Sequence, residues 1–400
     1  MDLFSYALEW ASMLTRWLHV ITGIAWIGAS FYFIWLDNHL HPPTAPDLVH
    51  KGVSGELWAV HGGGFYNPQK YMVAPKQLPA ELHWFKWEAY TTWLSGFALL
   101  GLVYHARAST YLIDAQVAAL TPAQGIAISI GALVAGWVVY DGLCRSPLGR
   151  HELALGVVLF VLIVAAGWGL GRLLAPRAAY LHVGAMIGTM MVANVLMVII
   201  PGQRRVVEAM KRGETPNPED GRRGKQRSVH NNYLSLPVLF MMVSNHYAMT
   251  YTHPQAWLVL AVIMLAGVLI RHFFNLRHKG RTVWALPAAG VALLLALALW
   301  MAPRSGEARA NGNLAVPSLD EVRVLMAQRC TSCHAAKPTY AGFAAPPAGV
   351  VLDSAAGLEG AAERVYRQVV ELRAMPLGNL TGMTETEREL VARWYRARLP

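Results

Sequence analysis

Apolar residues in this chain come in long runs parted by polar stretches. The runs fall at about 17–36, 89–105, 124–140, 153–171, 180–200, 234–251, 256–274 and 284–302. Each approaches the length of about 20 residues with which a helix crosses a bilayer, so the pattern predicts about eight membrane-spanning helices. A polar, glycine-rich stretch containing His61-Gly62-Gly63-Gly64 separates the first two runs. After residue 302 the pattern changes. Residues 303–316, made of Pro, Arg, Ser, Gly, Ala and Asn with few apolar side chains, read as a flexible linker. From Pro317 onward the chain reads as short amphipathic helices. Ser318 with Glu321 and Thr384 with Glu387 have capping-box spacing. Ala361, Val365, Val369 and Leu372 recur at helical spacing, as do Leu390, Val391 and Trp394. The expected fold is all-α: a polytopic membrane helix bundle over 1–302, a linker over 303–316 and a small helical domain over 317–400.

Composition agrees with a membrane protein. The chain is 54% hydrophobic and only 14% charged, too little charge to solvate a soluble surface of this size. Its net charge of +10 does not point to nucleic acid, because the basic residues collect between apolar runs, as cytoplasmic loops do. Residues 203–230 carry eight Lys/Arg against four Asp/Glu and are placed inside. Thr252–Gln255, without Lys or Arg, faces outward, and the turn with Arg271, Arg277, Lys279 and Arg281 returns inside. The last run then exits on the outer side and carries residues 317–400 to the periplasm. Residues 1–16 lack a basic leader, so no cleavable signal peptide is expected.

Cys330-Thr331-Ser332-Cys333-His334 is the spacing of covalent c-type haem attachment. Each thiol would add to one haem vinyl group, and His334 would offer a nitrogen to the iron. A zinc site or a redox dithiol is the other use of such a pair. Zinc needs two more ligands, and the only further cysteine, Cys144, lies far upstream. Met375, in Arg373-Ala374-Met375-Pro376, is the expected second axial ligand, with Met383 and Met326 as alternatives. A short helical chain with CxxCH in its first third and a methionine near its end resembles a small class I cytochrome c, so one covalent haem c is expected.

His19, His182 and His246 fall within apolar runs. Ionisable groups at membrane depth are candidates for function; histidines on neighbouring helices could hold a b-type haem, or could only bond one helix to another. Lys225–Tyr233 is the densest polar cluster beside a run. There Arg227 could grip a planar anion through two parallel bonds, and His230 could move protons. The same stretch could equally be a basic cap that sets topology.

Three stretches carry a wider resemblance. They are Trp17–Tyr32 (WLHVITGIAWIGASFY), Gln226–Tyr233 (QRSVHNNY) with Ser244-Asn245-His246-Tyr247, and Arg271-His272-Phe273-Phe274-Asn275. Followed by CTSCH, they resemble bacterial membrane-bound urate oxidases (urate hydroxylases) fused to cytochrome c. The resemblance implies oxidation of urate towards 5-hydroxyisourate in purine breakdown. It implies electrons passing through haem c to a respiratory cytochrome c or terminal oxidase, in an inner-membrane protein embedded in lipid. Its haem residues carry over to Cys330, Cys333, His334 and Met375; Arg227 and His230 are candidates from their chemistry alone. A quinol-linked respiratory cytochrome, or a membrane-anchored carrier or sensor without catalysis, is the alternative.

Overall fold

A computed structural model describes residues 3–72, 74–302, 315–340, 343 and 345–398. Most of the expected linker, residues 303–314, lies outside the described residues.

The N-terminal unit is built from long helices: α1 (Leu3–His39), α2 (Trp87–Leu99), α3 (Pro122–Arg145), α4 (Glu152–Leu170), α5 (Pro176–Ala193), α6 (Ile200–Lys211), α7 (Pro218–Val243), α8 (Ala256–Arg277) and α9 (Ala285–Trp300). Among the described residues, five helices are long and apolar enough to cross a membrane: Tyr6–His39, Pro122–Arg145, Glu152–Leu170, Pro176–Lys211 and Ala256–Arg277. Ala285–Trp300 is apolar but shorter. The run at 89–105 is helical throughout, because α2 continues through a π-helical turn, Leu100–His105. A second π turn, Asn194–Ile199, joins α5 to α6 and makes one helix of Pro176–Lys211. Such turns insert an extra residue per turn and cluster at functional sites.

The expected run at 234–251 is displaced. Asn217 accepts a bond from the Glu219 amide and Pro218 takes the first helical position, so α7 starts in the basic segment. It ends at Val243, where a tight turn (Ser244–His246) and a separate turn of helix (Ala248–Tyr251) take over. His246, expected deep in a span, is therefore exposed beyond the helix end. The polar stretch after α1 forms two small antiparallel pairs. β1 (Val53–Glu56) pairs with β4 (Gln69–Tyr71), and β2 (Ala59–His61) with β3 (Gly64–Tyr66).

α5 is the buried centre of the bundle; most of its side chains, including Val183, Met186, Ile187 and Met190, are covered. Close approach around it depends on missing side chains. A Cβ on Gly136 of α3 would meet Met186 Cγ at 2.3 Å, and one on Gly184 would meet Met241 Cβ at 2.6 Å. Small residues at crossings are how apolar helices gain contact where lipid competes for the same surface. By contrast α1 keeps Trp17, Ile24 and other large apolar side chains exposed, as a helix facing lipid does.

The C-terminal residues pack a separate apolar cluster. α10 (Leu319–Arg329), α11 (Ala362–Tyr366, continued by Arg367–Glu371) and α12 (Glu385–Arg396) surround Leu325, Met326, Val365 and Val391. The Ser318/Glu321 and Thr384/Glu387 capping boxes both form. This unit touches the bundle at one end. Tyr340 and Thr110 hydroxyls lie 2.9 Å apart, and a Cβ on Gly378 would stand 3.4 Å from the carbonyl oxygens of both Thr110 and Ile113.

Candidate functional site

The CxxCH loop follows directly from the end of α10. Cys330 caps that helix and is buried, while Thr331–His334 make one turn that leaves Cys333 half-buried. His334 Nδ1 donates to the Val350 carbonyl at 3.1 Å. That bond fixes the tautomer and leaves Nε2 free as a metal donor. Burial pushes the Cys330 thiol up to about 12, and raises that of Cys333 as well. Neutral thiols in an apolar wall are poor redox or zinc thiolates, whereas thioethers are uncharged and bury without ionic cost. Among the described residues, no group of three or more His, Cys, Asp or Glu converges to complete a zinc site.

Of the three candidate methionines, Met326 and Met383 are fully buried in the apolar cluster. Met375 lies partly exposed at its edge. Arg388, buried and unsuspected from sequence, donates to the carbonyls of Met375 at 2.8 Å and Val369 at 2.5 Å. The loop that presents Met375 is thus held from inside. One imidazole, one thioether at the core edge and two attachment thiols form a donor set that fits a covalent haem.

Within the bundle, Arg227 and His230 share one face of α7, three residues apart. Arg227 is buried and donates to Asp141 Oδ1 at 2.6 Å and Asn194 Oδ1 at 3.2 Å. Its guanidinium also lies 4.9 Å from the centre of the Tyr140 ring. Asn194, placed by the π turn, donates to the Tyr140 hydroxyl at 2.9 Å and to Asn231 Oδ1 at 2.8 Å. The Tyr140 hydroxyl and His230 Nδ1 lie 2.8 Å apart, within hydrogen-bond reach. Sequence reasoning proposed Arg227 as the grip for an anion, but Asp141 already offsets its charge. Asp141, Tyr140 and Asn194 were not singled out because they come from other helices, and nothing in the local pattern marks them.

Arg227 and Cys144, both buried, are among the residues lining a cavity of about 960 Å³. Eight arginines, among them Arg145, Arg204, Arg205 and Arg222, line it against Glu208, Glu214, Glu219 and Asp220. A cleft with this excess of positive charge concentrates anions.

A second polar group lies one residue further along α7. Asn232 Oδ1 accepts from Arg271 Nε at 3.0 Å and from Asn275 Nδ2 at 2.9 Å, both on α8. Arg271 is buried and stacks 4.0 Å from the centre of the Phe31 ring of α1. Among the described residues no carboxylate pairs with it. A buried charge without a counter-charge costs several kcal/mol, so this arrangement asks for an explanation.

His19, His105 and His182 are committed to bonds between or within helices. His19 Nδ1 donates to the Thr92 carbonyl at 2.9 Å. His182 Nδ1 donates to the Ala178 carbonyl at 2.7 Å, and its Nε2 accepts from Ser129 at 2.7 Å. Ser129 accepts in turn from His105 Nε2 at 2.9 Å. With both ring nitrogens of His182 engaged, the geometry offers no support for an intramembrane haem b on it.

Helices long and apolar enough to cross a membrane, packed around buried, hydrogen-bonded polar groups, define a bundle joined to a small helical unit. Residues 5–302 match the urate oxidase N-terminal family, and the chain belongs to that family. No curated protein and no solved structure matches it.

Proposed function

We propose that this chain is a membrane-bound urate oxidoreductase of the bacterial inner membrane, converting urate towards 5-hydroxyisourate. In this reading eight helices cross the bilayer, the basic cavity opens to the cytoplasm and residues 317–400 stand in the periplasm. What carries it is the union, in one chain, of a urate oxidase family region with a small helical unit that bears a CxxCH loop and touches the bundle through Tyr340 and Thr110.

The reaction balances with water as oxygen source: urate plus water gives the hydroxylated product, two protons and two electrons. Cys330 and Cys333 would attach one haem c, and His334 and Met375 would offer a nitrogen and a sulfur to its iron. A haem held there would supply one-electron redox chemistry, with a respiratory cytochrome c or terminal oxidase as the final acceptor. His/Met ligation suits an acceptor because it raises the potential. The basic cavity draws the urate anion to the bundle. The contact between the Tyr140 hydroxyl and His230 gives a released proton a path from one to the other. Arg227, already balanced by Asp141, keeps Tyr140 and Asn194 in place.

The test is purified protein in detergent, mixed anaerobically with urate. Urate should disappear as haem is reduced, two haem equivalents per urate and no hydrogen peroxide formed. Cys330→Ala and His334→Ala should abolish the reduction. Reduction by a quinol but never by urate would overturn the proposal in favour of a quinol-linked cytochrome.

A further inference from the structure

We propose that Arg271, Asn232 and Asn275, beneath the Phe31 ring, form the binding site for the urate anion itself; this rests on the urate reading above. Three observations converge. Arg271 is 6% exposed and, among the described residues, has no acidic partner; its only hydrogen bond there is from Nε to Asn232. Its two Nη groups therefore keep their donors for something else. Asn232 Nδ2 and Asn275 Oδ1 are both buried with no hydrogen-bond partner. Turning either amide over does not relieve this, because Asn232 Oδ1 is the acceptor that Arg271 and Asn275 share.

The site thus presents a forked cation, one orphan donor and one orphan acceptor around an aromatic ring. Urate is a flat monoanion whose edges alternate carbonyl oxygens with ring N–H groups. A guanidinium fork takes carbonyl and delocalised negative charge together. The Asn232 amide N–H meets a further carbonyl, and Asn275 Oδ1 receives a ring N–H. A buried polar atom without a partner costs free energy, and a ligand that supplies the partner recovers it. Arg227, its charge met by Asp141, makes no comparable demand.

The placement also couples binding to proton movement. Asn232 follows Asn231, which belongs to the Tyr140–His230 network. Adjacent residues of a helix are about 100° apart around its axis. One polar ring on α7 therefore faces the anion site on one side and the proton path on the other.

The experiment measures urate binding to the full-length protein by equilibrium dialysis, with haem spectra and melting temperature as controls for folding. Arg271→Gln should weaken binding about 10- to 100-fold without lowering the melting temperature, since an unbalanced buried charge is removed. Asn275→Asp, which sets a carboxylate beside Arg271, should weaken it similarly and leave the fold intact or firmer. Caffeine, flat but uncharged and without ring N–H donors, should not compete. Affinity within twofold of wild type in both variants overturns the site while leaving the urate reading untouched. A lower melting temperature for Arg271→Gln with unchanged binding assigns Arg271 to packing alone. Failure of the wild-type protein to bind urate at all sinks the reading and this site with it.

Discussion

Arg388 Nη1 donates to the backbone carbonyl of Met375 at 2.8 Å, from a residue only 6% exposed. The same nitrogen reaches Val369, so one buried cation pins the end of α11 to the methionine loop. Hydrogen bonds to charged groups contribute about 1.5–3 kcal/mol each. Arg388→Ala should therefore loosen this loop before it unfolds the unit. With haem c in place, the sulfur-to-iron absorption band should weaken and the midpoint potential should fall, because a raised potential depends on the methionine ligand. A variant with unchanged band and potential would remove Met375 as ligand or Arg388 as its support; Met375→Ala separates the two.

Gly378 meets the bundle at the Thr110 and Ile113 carbonyls, with φ at +55°. A side chain there is strained by the backbone and crowded by two oxygens. Gly378→Val should push the C-terminal unit off its seat, and Tyr340→Phe should remove the hydroxyl contact with Thr110. Both should slow urate-driven haem reduction while the haem potential stays fixed. Stopped-flow reduction checks this, and unaltered rates in both variants would show that the docking seen here does not govern electron transfer.

Local chemistry made the C-terminal residues legible. The capping boxes at Ser318 and Thr384 and the helical spacing of Val365 and Val369 are fixed by neighbours in sequence, and all of them form. The bundle was readable as long apolar runs, but its polar interior was not. Arg271 and Asn275 stood in a recognised stretch, yet their meeting with Asn232 and Phe31 depends on how α1, α7 and α8 cross. The displaced α7 has a local cause: Asn217 and Pro218 are a helix start, and the basic residues after them carry no apolar period that would mark the helix. His246 therefore lies three residues beyond the end of that helix and not within a span.

Asp141 is the counter-charge for Arg227, at 2.6 Å, with side-chain exposures of 16% and 4%. Asp141→Asn would leave a guanidinium buried without balance, a loss of about 3 kcal/mol or more. Thermal unfolding in detergent should drop by several degrees. The double variant Arg227→Met with Asp141→Leu should recover most of the loss, since an apolar pair of similar volume replaces a buried ion pair at little cost. Its urate affinity should stay close to wild type if the anion is held at Arg271, so the same protein also tests where the substrate charge goes.

Glu387 joins α12 to α10 through Arg329, whose Nε and Nη2 donate to its Oε1 at 3.1 and 2.9 Å, while Oε2 accepts from the Thr384 amide at 2.7 Å. Burial alone would raise this carboxyl, but the Arg329 and Thr384 bonds outweigh it and hold the group below the ordinary glutamate range. A carboxyl depressed by folding contributes its stability in full above the unfolded value of about 4.3 and loses it as pH falls through the folded value. Glu387→Gln keeps the shape of the cap and removes the charge. At pH 7 the variant should be less stable by about 1 kcal/mol, the scale of a partly exposed pair. The gap should begin to close below about pH 4.3 and vanish once both proteins carry a neutral side chain there. Urea unfolding of the full-length protein, followed by haem absorbance across that range, measures it. A gap that stays constant as the pH drops would mean that the Arg329 contact contributes through shape and not through charge.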